Sequence, residues 1–135
     1  MIYLLSVILH QTENIFGVSN EELFDAHTRS KIGINLSTND NDPRRKTQMK
    51  QRMFEIPAGS GLLLTEHHDA IEDFFEIDKE IVTFKTIDEF NKKCEFLLRN
   101  PKIVKKIADN GYKRFIKDHD SKVRLREVLK EIEKC

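Results

Sequence analysis

Lys50-Gln51-Arg52-Met53-Phe54-Glu55-Ile56-Pro57-Ala58-Gly59-Ser60-Gly61-Leu62-Leu63-Leu64-Thr65-Glu66 opens on a basic, helix-prone segment, passes through small residues and enters an apolar run. A short, fully apolar run after turn residues reads as a strand of the parallel-sheet type, buried on both faces. In an open α/β sheet, ligands bind outside the carboxyl ends of the strands. Basic groups and a carboxylate near a Gly-containing turn at a strand edge are the ingredients of a nucleotide site there.

Working outward, Ile32, Ile34 and Leu36 alternate with Gly33 and Asn35, which predicts a strand over 32–36. Ser19-Asn20-Glu21-Glu22 has capping-box spacing and predicts a short helix from about Asn20 to Thr28. Residues 37–46 are polar and turn-rich, hence a loop. A helix is expected from Thr47 to Ala58, ended by Gly59 and Gly61, with the strand 62–65 after it. Asp69 and Glu72 start another short helix that carries Phe74 and Phe75, and Ile81 to Phe84 form a third strand.

Thr86 and Glu89 make a second capping box, behind which Ile87, Phe90, Cys94 and Leu97 fall on one helical face over 86–99. Asn100-Pro101 stops that helix and starts the next, 101–117, with Pro in its first turn and a stripe of Val104, Ile107, Ala108 and Phe115. Ser121 caps a last helix over 121–134, where Leu125, Val128, Leu129 and Ile132 recur at helical spacing. This alternation predicts a three-layer α/β domain with a small parallel sheet and C-terminal helices. Residues 1–30 are expected to flank a domain spanning 31–135. The apolar run from Ile2 to Leu9 is a buried strand, which would be a fourth, or the first turn of a helix.

A chain of 135 residues with 39% apolar content and nine Phe can bury one core. Its 23 basic and 23 acidic residues cancel, which argues against a general nucleic-acid binder. The run from Ile2 is too short to span a membrane, which takes about 20 apolar residues. It has neither the basic start nor the cleavage site of a signal peptide. Cys94 and Cys135 match no metal spacing and read as reduced thiols of a cytosolic protein. The expectation is a soluble, cytoplasmic protein.

Several segments together resemble the group 1 glycosyltransferases, in the subgroup that includes spore-maturation-like proteins. The Lys-x-Arg-x-Phe-Glu-Ile pattern, the small-residue turn and the apolar strand ending in Thr-Glu are similar to that family's core motif. Ser30-Lys31-Ile32-Gly33-Ile34-Asn35-Leu36-Ser37 resembles its upstream strand. Phe74 to Val82 resembles its Phe-x-x-Gly-Lys-Glu-Ile-Val segment, and Ile107-Ala108-Asp109-Asn110-Gly111-Tyr112 a helix end. The resemblance covers roughly residues 15 to 126, in the family's order. It implies the C-terminal, nucleotide-sugar-binding half of an enzyme with two Rossmann-like domains (the GT-B arrangement), which needs no metal.

Arg44, Arg45, Lys46, Lys50 and Arg52 concentrate positive charge that the overall balance hides. A diphosphate needs such cations together with backbone N–H groups at a helix start. From charge alone, a solvated basic face is the stronger reading; the adjacent Phe-Glu motif reverses this for Lys50 and Arg52. Glu55 is an exposed helix glutamate or, as the resemblance implies, the carboxylate that binds the donor nucleotide, accepting hydrogen bonds from ribose hydroxyls. Gly59, Ser60 and Gly61 permit a tight turn and close approach of backbone to ligand. Here Gly59-Ser60 replaces the family's Cys-Gly pair. A Ser at positive φ would be strained, so Gly59 or Gly61 is expected to take that role. Asn35 and Ser37 lie at a strand's carboxyl end, in a ligand position or a simple strand-end turn. Adjacent His67 and His68 point in different directions and make a poor metal pair, so an exposed loop is expected around Glu66 to Asp69.

The donor half alone leaves the acceptor site unprovided, and residues 1–30 are too short to supply a second domain. The closing helix resembles one that crosses back to the other half, so its stripe must pack on this domain or on a partner. Three roles follow: a glycosyltransferase component working with a separate acceptor-domain chain, a non-catalytic sugar-nucleotide-binding module, or a remnant of a truncated glycosyltransferase kept for protein interaction. A partner chain or homo-oligomer is expected to cover the cleft face.

Overall fold

The computed structural model describes residues 19–36 and 49–135. The run from Ile2 to Leu9, Ser37, the basic residues Arg44, Arg45 and Lys46, and Thr47 lie outside the described residues. The chain order is α1 (Asn20–Arg29), β1 (Ile32–Asn35), α2 (Arg52–Ala58), β2 (Leu62–Glu66), a 3₁₀ turn (Asp69–Asp73), β3 (Val82–Phe84), α3 (Ile87–Arg99), α4 (Pro101–Arg114), a π turn (Phe115–His119) and α5 (Ser121–Glu133).

The three strands form one parallel sheet in the order β1-β2-β3. Ile32 stands opposite Leu62, Asn35 opposite Thr65, and Leu64 opposite Val82. Both faces are covered, so the strands are mostly apolar, with Asn35, Thr65 and Thr83 as buried polar exceptions. Ile32, Ile34, Leu62, Leu64, Val82 and Phe84 face Cys94 and Leu97 of α3 and Val104, Ile107 and Ala108 of α4. On the other face Leu63 packs with Met53 and Ile56 of α2, and with Ile71, Phe75 and Ile81. This is the α/β, Rossmann-like half-domain arrangement that the alternation predicts.

Two glycines let helices approach closely. A Cβ on Gly33 would lie 2.7 Å from the Ile56 side chain, and one on Gly111 would lie 2.5 Å from the Glu80 carbonyl oxygen. The end of α4 is thereby seated on the segment entering β3. Asn110 Nδ2 donates to the Lys79 carbonyl, and Arg114 Nε donates to the Glu80 carboxylate at 2.9 Å. Arg114 also reaches Asp118 at 2.8 Å, a bond that holds the Asp118 carboxyl below its usual range.

The capping box of α1 forms as read: Glu22 N–H donates to Ser19 Oγ at 3.2 Å, and Ser19 N–H to the Glu22 carboxylate at 2.9 Å. The second box is only half formed. Glu89 N–H donates to Thr86 Oγ1, but the Glu89 carboxylate accepts from Lys85 N–H instead of from the cap residue. Other expectations need correction. The helix expected from Thr47 begins at Arg52, so Lys50 precedes it. The short helix at Asp69 is a 3₁₀ turn, with Phe74 and Phe75 just beyond it. The helix expected to reach 117 gives way at Phe115 to the π turn. Ile87 is 71% exposed, because it occupies the first turn of α3 and faces away from the sheet.

The π turn has a packing reason. Its last residue, His119, inserts among Phe54, Phe74 and Phe75, with ring centroids 4.9–5.8 Å away. His119 Nε2 donates to the Phe74 carbonyl at 2.7 Å. After this anchor α5 leaves the body. Every residue of α5 is exposed except the half-buried Val123.

Candidate functional site

Strands β1 and β2 end side by side, and their carboxyl edge is polar. Asn35 and Thr65 are fully buried opposite one another, and Asn35 Nδ2 donates to Thr65 Oγ1 at 3.0 Å. Side-chain alternation puts both on the α2 face of the sheet, with Gly33 and Leu63. One residue beyond Asn35, the Leu36 carbonyl accepts a 2.7 Å hydrogen bond from Lys50 Nζ. That bond pins a cation at the strand end, just before α2 starts.

Helix α2 carries Arg52 and Glu55 on one side and buries Met53, Ile56 and Pro57 against the sheet. Positions three apart share a helical face. Arg52 lies near enough to His27 of α1 that its charge, after burial itself, lowers the basicity of that imidazole. His27 is 2% exposed, and its ring nitrogens have no hydrogen-bond partner among the described residues. Both effects favour the neutral ring. Glu55 is half-buried and makes no side-chain hydrogen bond or ion pair among the described residues. A carboxylate in that state has lost part of its hydration without replacement, which costs free energy that a ligand hydroxyl could offset.

The small-residue turn lies elsewhere. Gly59, Ser60 and Gly61 join α2 to β2 at the amino end of the sheet, four strand residues, about 13 Å, from Thr65. Their tightness serves packing within the chain. A Cβ on Gly59 would meet the backbone of His27 and Thr28 at 3.2 Å, and one on Gly61 the Ser30 carbonyl oxygen at 3.1 Å. The expectation that a glycine takes the left-handed conformation is corrected: Ser60 itself adopts it, with φ 61°, while Gly59 has φ −81°. Ser60 is exposed and holds this conformation at the cost of local backbone strain.

The histidines after β2 are half-buried instead of forming an exposed loop. His68 Nδ1 accepts from Ala70 N–H at 3.1 Å, capping the 3₁₀ turn, and His67 N–H donates to the Phe84 carbonyl at 2.8 Å. No group of three or more His, Cys, Asp or Glu is placed to hold a metal ion among the described residues. Cys94 and Cys135 are free thiols, and burial raises the Cys94 pKa. No helix among the described residues is long and apolar enough to cross a membrane.

The structure thus brings together Asn35, Lys50 and Thr65 at one edge, with Arg52 and Glu55 on the helix that starts there. It places Gly59, Ser60 and Gly61 at the opposite end, and Ser37 lies outside the described residues. Sequence reading missed Thr65 as the partner of Asn35 and His27 as the neighbour of Arg52. Strand register carries the first signal: pairing Ile32 with Leu62 puts Asn35 against Thr65. The second had no local signal, since α1 meets α2 only in the folded chain.

A cleft of about 460 Å³ opens at the amino edge between Ser60, Lys31 and the first turns of α4. Its floor is Val104 and Ala108, with Lys102 and Lys105 at the rim. Another, of about 300 Å³, is bounded by Glu80 and Arg114, which already satisfy each other. Neither includes a residue of the carboxyl edge.

A family model described as glycosyl transferase-like matches residues 9–130. No curated protein and no solved structure matches the chain.

Proposed function

Because the chain belongs to the glycosyl transferase-like family, we propose that residues 31–135 are the donor-binding half of a two-domain, metal-independent glycosyltransferase of the GT-B arrangement. The donor is a nucleoside diphosphate sugar lying across the carboxyl edge of β1 and β2. The observation that carries this reading is Glu55, a half-buried carboxylate with no protein partner among the described residues, on the helix that starts beside the Lys50 cation.

In this reading Glu55 accepts hydrogen bonds from the ribose hydroxyls. Lys50 has three N–H donors and spends one on Leu36. The others, with the Arg52 guanidinium, meet the diphosphate through charge-assisted bonds. Asn35 lines the same edge. Gly59, Ser60 and Gly61 support the site indirectly, by seating α2 against α1.

The acceptor and any catalytic base come from a second domain or a partner chain. Transfer requires the acceptor to be oriented against the anomeric carbon, and orientation supplies much of the barrier reduction. This domain alone should bind donor and, at most, hydrolyse it slowly. Calorimetry with uridine and guanosine diphosphates tests the binding. Heat is expected for one of them, and Glu55→Ala should weaken that binding roughly tenfold or more. No heat at millimolar ligand would end this reading. Binding without transfer, even with an acceptor domain supplied, would favour a non-catalytic sugar-nucleotide module.

A further inference from the structure

Helix α5 presents an apolar stripe to solvent. Leu125, Val128, Leu129 and Ile132 are 60%, 54%, 49% and 63% exposed. The helix does not fold back on the sheet: Asp120 caps it through Lys122 N–H, Val123 is half-buried, and Arg124 lies 5.8 Å over the Phe74 ring. At about 100° per residue, Val123 sits on the side opposite the stripe. The domain therefore holds α5 by its back and its start, and the stripe points away.

The charges beside the stripe are ordered. On one flank stand Arg124 and, two turns later, Glu131. On the other stand Lys122 and Arg126, then Glu133. Both flanks are basic toward the helix start and acidic toward its end. Glu127, Lys130 and Lys134 lie on the outer side.

We propose that α5 is a self-association helix and that its stripe is covered by α5 of a second copy running antiparallel. A two-fold axis between Val128 and Leu129 stacks Leu125 on Ile132 of the second copy and Val128 on Leu129 of the second copy. The same axis sets Arg124 beside Glu131 of the second copy, and Arg126 beside Glu133 of the second copy. Each contact occurs twice, as an isologous interface requires. Parallel pairing would place Arg against Arg and Glu against Glu, which is destabilising. Two internal contacts compete only weakly. Glu131 pairs with Lys134 on the exposed helix surface, where ion pairs contribute little, and Arg124 keeps its charge above Phe74.

A helix of 13 residues is about 20 Å long, so this seam is at the small end of specific interfaces. The dimer should be reversible and favoured by concentration.

Sedimentation equilibrium on the whole chain is the test. The wild type should move from monomer to dimer as concentration rises. Arg124→Glu with Arg126→Glu makes both flanks acidic, and Glu131→Arg with Glu133→Arg makes both basic. Each double variant should stay monomeric where the wild type dimerises, and an equal mixture of the two should dimerise. Cys135, exposed just past the helix, reports orientation: antiparallel pairing keeps the two Cys135 thiols at opposite ends of the seam. A wild type that stays monomeric would overturn the proposal and leave the stripe to a different chain. So would charge variants that self-associate like the wild type, or ready Cys135–Cys135 disulfide formation in the dimer.

Discussion

The carboxyl edge of the sheet and the turn at its amino edge both draw on one continuous stretch, Lys50 to Glu66, yet they have different physical characters. At the carboxyl edge, polar side chains cluster: Asn35 on Thr65, Lys50 on the Leu36 carbonyl, and Glu55 half-buried nearby. At the amino edge, a Cβ on Gly59 or Gly61 would come within 3.1–3.2 Å of neighbouring backbone. The helix between them is seven residues long, about 10 Å, and it separates the two roles. A glycine and a carboxylate can thus sit in one recognisable motif for unrelated reasons. The glycine lets elements pack, and the carboxylate makes no side-chain bond among the described residues.

The packing side should give the largest effect when broken. Gly111, from the motif at the end of α4, has the same character as Gly59 and Gly61. Gly111→Ala drives a methyl to 2.5 Å from the Glu80 carbonyl oxygen, which is backbone and cannot rotate aside. The end of α4 must lift, so a loss of about 2–3 kcal/mol is expected in denaturant unfolding. Gly33→Ala meets only the Ile56 side chain, which has rotamers to use, and should cost less. Equal losses at the two sites would show that backbone and side-chain contacts relax alike here.

The ligand side should behave in the opposite way. Glu55→Ala removes a group that makes no side-chain bond among the described residues, so stability should change by less than about 0.5 kcal/mol. Nucleotide affinity should nonetheless fall roughly tenfold. Unfolding and calorimetry on one preparation check both halves. A large stability loss would move Glu55 to the packing side of the comparison.

His27 lies between the two regions, against Gly59 and within reach of Arg52. Burial, then the Arg52 charge, lowers its folded pKa from 6.5. The unfolded chain therefore binds the proton more readily than the folded one. Stability from this group is fully present above the unfolded pKa and is lost as pH falls below it, by at most about 1.4 kcal/mol per pH unit. Denaturant midpoints between pH 8 and pH 5 should show the decline. His27→Leu should flatten it, and an unchanged slope in that variant would assign the decline to other groups.

Much of this fold was legible because each element carries its own signal. Periodicity placed β1, β2, α3 and α4, and Ser19 with Glu22 fixed the start of α1. The failures lie where tertiary contacts override local pattern. His119 among three phenylalanines turns the end of α4 into a π turn. Ile87 fits the α3 stripe by spacing but sits in its first turn, beyond the sheet. In the candidate site the charged residues were legible as types. Their separation from Gly59 to Gly61 was not, because a motif records order along the chain and not the direction in which a helix carries it.

The smallest effect should come from Ser60, and it should be a gain. Ser60 holds φ 61°, a region costly for a side-chain-bearing residue and free for glycine. The residue is exposed, so losing the hydroxyl breaks no buried contact. Ser60→Gly removes the strain of about 1–2 kcal/mol. It also gives the unfolded chain more freedom, which opposes the gain by about 0.5–1 kcal/mol. The net should be a stabilisation of some tenths to about 1 kcal/mol. Because the turn stands at the amino edge, nucleotide affinity should not change. A variant with altered affinity would mean that the α2–β2 turn reaches the ligand after all, through the position it sets for α2.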